Sequence, residues 1–95
     1  MQSILENNLS KEWQIVYSRN AEKFLDKLSD KDKKKILNKI FLLTDNDANL
    51  DIKYLSGSDD EYRLRVGDYR IIYTKHFKLL IIEIIKIGNR KDVYK

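Results

Sequence analysis

Two alternating runs joined by Gly67-Asp68 constrain this chain more than any other feature. Residues 62–73 read Tyr-Arg-Leu-Arg-Val-Gly-Asp-Tyr-Arg-Ile-Ile-Tyr. A glycine at the first of two central positions closes a hairpin through a type II′ turn. That turn pairs Val66 with Tyr69, Arg65 with Arg70 and Leu64 with Ile71. Strand side chains alternate between faces. One face therefore carries Tyr62, Leu64, Val66, Tyr69, Ile71 and Tyr73, and the other carries Arg63, Arg65, Arg70 and Ile72. Like charges directly opposite one another destabilise a sheet. The arginine face thus has two readings: long side chains splayed into water and screened, or a site for an anion. Arginine forks match phosphate oxygens in pairs and stay charged at any physiological pH.

The rest of the chain bounds what such a hairpin can belong to. Ninety-five residues make one domain. Absence of cysteine removes disulfides and thiolate metal sites, and a single histidine argues against a histidine-rich one. We expect no metal or cofactor. No apolar run is long enough to span a bilayer, and no signal-peptide pattern opens the chain, so a cytoplasmic protein is expected. Charge is uneven. Residues 1–60 hold ten Lys/Arg and eleven Asp/Glu, a net of −1, whereas residues 61–95 hold nine and four, a net of +5. A basic half of this kind points to a polyanion or an acidic partner.

Residues 1–12 are polar and aperiodic and read as an N-terminal extension, with a single domain over 13–95. Trp13–Ser18 has strand composition. Ser18 or Asn20 can cap a helix in which Ala21, Phe24, Leu25 and Leu28 form the core stripe. Asp30 can cap a second helix over about 31–44, with Ile36, Leu37, Ile40, Phe41 and Leu43 inward. Its lysines at 31, 33, 34, 35 and 39 make a solvated face or a secondary contact to nucleic-acid backbone. Residues 45–60 are polar and turn-rich, anchored by Leu55 and Gly57. Strands follow at about 61–66, 69–75 and 79–87, the last so aliphatic that burial on both faces is expected, with Gly88 ending it. The order is β-α-α-β-β-β. It predicts an α+β domain in which an αα-hairpin packs on one face of a small sheet, leaving the arginine side open.

Other titratable residues carry weaker signals. His76 falls in the turn before the last strand and reads as a surface residue. If Ile84 pairs with Tyr69, Glu83 faces Arg70 as a structural ion pair or a general base; a one-residue slip would aim Lys86 there instead. Tyr54, Tyr62, Tyr69 and Tyr73 read as core tyrosines with rim hydroxyls, base stacking being the alternative.

Lys53-Tyr-Leu-Ser-Gly57, Tyr62-Arg-Leu-Arg65, Gly67-Asp-Tyr-Arg70, Ile71-Ile-Tyr73 and Ile87-Gly-Asn-Arg-Lys-Asp-Val-Tyr94 occur in this order on this element pattern. In that combination the chain resembles the RelE/ParE superfamily of toxin–antitoxin toxins. The resemblance implies a RelE-like, microbial-RNase type of fold. It also implies either of two activities, cleavage of messenger RNA in the ribosomal A site or poisoning of DNA gyrase without nuclease activity; a nucleic-acid-binding module without chemistry is the remaining alternative. The RelE-like set of basic residues and a terminal tyrosine maps onto Arg63, Arg65, Arg70, Arg90 and Tyr94. This implies an mRNA interferase with Arg65, Arg70, Arg90 and Tyr94 as catalytic candidates, and Lys53, Arg63, Arg65 and Lys91 as phosphate-binding candidates. A cognate antitoxin is the implied partner, and the toxin alone is expected to be a monomer. Arginines stand at 63 and 65 where relatives commonly carry lysine, and arginine is a poor general base. Tyr94 would then need its pKa lowered by neighbouring arginines.

Overall fold

The computed structural model describes residues 13–45, 47–55 and 60–89. The extension at 1–12, the Gly57 anchor and the candidates Arg90, Lys91 and Tyr94 lie outside the described residues. The elements are β1 (Gln14–Tyr17), α1 (Arg19–Asp26), α2 (Asp30–Phe41) with a 3-10 turn at Leu42–Thr44, β2 (Ile52–Tyr54), β3 (Glu61–Val66), β4 (Tyr69–His76) and β5 (Ile81–Asn89). The expected α+β order is present, with one further short strand, β2, inside the stretch read as turns. No helix among the described residues is long and apolar enough to cross a membrane.

Both helices start on serine hydroxyls. Ser18 Oγ accepts from Ala21 N at 3.1 Å, and Ser29 Oγ accepts from Asp32 N at 3.2 Å. Asp30 is therefore the first helical residue of α2 and not its cap. Ser18 does more than cap. Its hydroxyl donates to the Ile85 carbonyl at 2.6 Å, and its backbone N donates to the Ile84 carbonyl at 2.9 Å. Ser18→Ala removes a cap and orphans a partly buried carbonyl. It should cost about 2 kcal/mol, read as a lower urea midpoint at unchanged slope.

The sheet order is β1-β5-β4-β3-β2, with β1 parallel to β5 and every other pair antiparallel. The hairpin has the expected register: Val66 faces Tyr69, Arg65 faces Arg70 and Leu64 faces Ile71. Gly67 sits at φ +58°, while Asp68 is not in the positive region. That combination fits type II′ and excludes type I′, which needs both.

Cross-strand rows build the core on the helix side. One runs Ile52, Leu64, Ile71, Ile87, and the next runs Tyr54, Tyr62, Tyr73, Ile84, Tyr17. Ile36, Ile40, Leu64, Ile71, Ile82 and Ile84 are fully buried, with Ala21, Leu25 and Leu43 against them. Phe41, expected in the core, is 64% exposed at the end of α2. The strand buried on both faces is β4 and not β5, because β4 lies at the centre of the five. Arg70, Ile72 and Thr74 on its outer side are all buried, whereas Glu83 and Lys86 of β5 are exposed.

The β4–β5 register differs from the expected one: Tyr69 pairs with Asn89 and not with Ile84, five residues along β5, and a bulge between Ile72 and Tyr73 reduces the offset to four. Ile72 pairs with Lys86 but Tyr73 pairs with Ile84, so Ile85 is the extra residue. Gly88 stands opposite Arg70, inside the strand it was expected to end. Glu83 stands opposite Thr74, so neither Glu83 nor Lys86 faces Arg70. His76 closes β4 and is not in the turn; its Nε2 lies 3.0 Å from Thr74 Oγ1 and 3.5 Å from Glu83 Oε1.

Candidate functional site

The face of the sheet away from the helices carries a basic patch at the hairpin end. Four strands contribute to it through two adjacent rows. Lys53, Arg63, Ile72 and Lys86 form one, and Arg65, Arg70 and Gly88 form the other. The next row holds Glu61, Thr74 and Glu83, so the patch ends against acidic residues. The type II′ turn brings Arg65 and Arg70 face to face, and β2 adds Lys53 beside Arg63. Lys86 was legible only as an alternative register; the β4–β5 pairing puts it beside Ile72.

The three arginines differ in environment. Arg65 is the open one, with 44% of its side chain exposed. Arg63 is nearly enclosed, and its guanidinium donates to Asp51 Oδ1 at 2.9 Å. Arg70 retains only 7% exposure, so the expected open face is closed at its centre. Its Nη1 reaches the Gly67 and Tyr69 carbonyls at 3.5 and 3.4 Å, at the outer limit of hydrogen bonding. The Nε atoms of Arg63 and Arg70 are buried with no partner among the described residues. A buried charge with weak partners is costly, and an anion beside it would offset that cost.

Asp51 is the site residue that sequence reasoning missed. It directly precedes β2. Its backbone carbonyl accepts from Arg65 N at 2.9 Å, while its carboxylate touches Arg63 and lies 4.0 Å from Arg65 Nη1. The like-charge strain expected between facing arginines is thus relieved partly from the neighbouring strand. Recognising Ile52–Tyr54 as a strand would have exposed this contact, because only that pairing brings Asp51 to Arg65.

The tyrosines lie on the other side of the sheet. Tyr69 donates to Asp32 Oδ2 at 2.9 Å and meets Phe24 edge-on. Its pKa is raised, first by that hydrogen bond and then by burial. Tyr73 stacks on Tyr62 at 5.4 Å, and burial pushes its phenol up to about 12. Both remain protonated at neutral pH and neither faces the arginines. Among the described residues, the patch offers fixed cations with the geometry to hold phosphate.

Lys53, Arg63, Arg65 and Arg70 are brought together; Arg90, Lys91 and Tyr94 fall outside the described residues. Asn89, the last described residue, pairs with Tyr69 at the hairpin end of the sheet.

Comparison with known proteins is consistent with this geometry. A family model described as the ParE toxin of the type II toxin–antitoxin system parDE matches residues 15–94. A candidate toxin, RelE1, of Methanocaldococcus jannaschii is 47% identical over 45 residues, covering 47% of this chain and only 50% of that relative. The RelE–RelB complex of Pyrococcus horikoshii OT3 contains a chain of TM-score 0.73 and 26% identity, with 86% of this chain and 99% of that one covered. The RelB–RelE complex of Methanococcus jannaschii gives a TM-score of 0.67 at 27% identity, covering 83% and 94%.

Proposed function

The chain belongs to the ParE toxin family of type II toxin–antitoxin systems, and from that premise we propose that it cuts messenger RNA in the ribosomal A site. The observation that carries this reading is Arg70, a buried and weakly bonded cation between Arg65 and Gly88. The 2′-hydroxyl of the substrate attacks the adjacent phosphate, giving a cyclic 2′,3′-phosphate end and a 5′-hydroxyl end. Charge builds on the phosphorane, and fixed donors aimed at it supply the largest share of catalysis, about 3–4 kcal/mol each. Arg70 and Arg90 take that part. Arg63, Arg65, Lys53 and Lys91 hold the phosphate backbone. Tyr94 orients the ribose or moves the proton, which no arginine does well. No metal enters this scheme. A cognate antitoxin is the natural partner, since the two similar archaeal folds are each found with RelB. The toxin acts as a monomer in the cytoplasm.

A second reading has its own support. The matching family model is described by the ParE toxin, and resemblance to the ParE branch implies poisoning of DNA gyrase. The arginine face is then a binding surface without chemistry. Incubation of a defined mRNA with programmed ribosomes, beside naked RNA, separates the two. Cuts confined to the A-site codon and dependent on ribosomes are expected. No cut in either sample from folded protein, with gyrase cleavage complexes accumulating instead, would sink the nuclease reading.

A further inference from the structure

Asp51 presents a carboxylate where an anion would sit. It contacts Arg63 at 2.9 Å and approaches Arg65 at 4.0 Å, and its own side chain is 54% exposed. The arginine pair is therefore already partly neutralised before any ligand arrives. We propose that Asp51 is an internal competitor for the phosphate site: an incoming phosphate exchanges with its carboxylate on Arg63 and Arg65. The proposal rests on reading this face as a phosphate site.

Three features make exchange feasible. The Asp51 side chain lies at the surface, so it can swing into water at little cost. Its backbone is held separately by the bond from Arg65 N, so the strand stays in place when the side chain leaves. A phosphate offers more acceptor oxygens and more charge than a carboxylate, and arginine forks bind it bidentately. Such a competitor weakens binding to every phosphate equally. A lone phosphate gains least, and a strand that also engages Lys53, Lys86 or Arg70 gains enough to displace it. Asp51 thus raises the affinity that any phosphate ligand needs in order to occupy the site, without changing the ratio between ligands.

The test compares the wild-type chain with Asp51→Asn and with Asp26→Asn, which removes the same charge from the helix layer. Asp51→Ser serves as a second variant at the same position. The probes are inorganic phosphate and a single-stranded RNA with 2′-O-methyl groups, which cannot be cut. Both Asp51 variants should bind each probe about 3- to 10-fold more tightly. The salt dependence of RNA binding should steepen by about 0.7 in log–log slope, one more released counterion. Asp26→Asn should stay within about twofold of wild type. Unchanged or weaker binding by the Asp51 variants overturns the proposal, since Asp51 would then merely hold Arg63 in place. An equal gain in Asp26→Asn overturns it too, as a bulk charge effect. Ribosome assays run alongside keep the two readings apart. Tighter phosphate binding without mRNA cleavage supports the competitor and removes the nuclease. Cleavage with unaltered binding removes the competitor alone.

Discussion

Arg70→Met is expected to leave the fold at least as stable as the parent and to slow mRNA cleavage about 100- to 1,000-fold. The two halves of this expectation have different causes. Arg70 is buried to all but 7% and its Nε has no partner among the described residues. Methionine replaces the stem of the arginine without a charge to desolvate, and replacing a poorly compensated buried ion by an apolar side chain is often neutral or stabilising. A charge kept in place at a cost to stability points to a use outside folding. Arg70→Lys should fall between the two, because an ammonium supplies charge but not the planar fork. Single-turnover cleavage on programmed ribosomes and urea unfolding of the same preparations provide the readouts. A fully active Arg70→Met protein would demote Arg70 to a structural cation. A protein that fails to fold would show that its charge supports the hairpin.

Ile71→Ala should have the opposite signature. Ile71 is fully buried between Leu64 and Ile87, on the central strand of the sheet. Truncation removes three carbons from a site walled by rigid strands and leaves a cavity, at about 3 kcal/mol. For a domain of this size that lowers Tm by roughly 15 °C. It is also a large fraction of the 5–15 kcal/mol that ordinarily holds a domain together. Below its lowered midpoint the folded variant should cut with normal activity, since the change lies on the helix side of the sheet. Loss of activity in the fully folded variant would mean that the core row positions Arg70 directly across the strand.

What could be read from the sequence was local. Gly67-Asp68 determined the β3–β4 register because one turn type fits a glycine in that position, and the arginine face followed from period two. Ser18 was recognisable as a cap because the helix stripe begins three residues later. The misreadings were non-local. β2 is three residues long, too short for a period, and exists because β3 offers an edge to pair with. The β4–β5 register is invisible in an aliphatic run, where each residue resembles the next; the pairing slides four to five residues from the expected one, with the bulge at Ile85 contributing one, and this sets Gly88 opposite Arg70 and Glu83 opposite Thr74. Phe41 fits the helical stripe by its spacing from Leu37 but is exposed, while Leu43 in the 3-10 turn just after it is buried. Asp51 meets the arginines only through the β2–β3 pairing, so it carried no signal of its own.

The parallel pairing of β1 with β5 joins the first strand of the domain to the last. On a translating ribosome β1 emerges early and then waits for β5, several seconds at roughly 5–20 residues per second. During that interval Ser18 cannot reach the Ile85 carbonyl, and β4 lacks the neighbour that places Gly88 beside Arg70. Closing so long a loop also makes the final step slow compared with helix formation. A nascent chain of this topology can pair its arginines on β3 and β4, but it has neither Lys86 nor Gly88 beside them until its last strand is made.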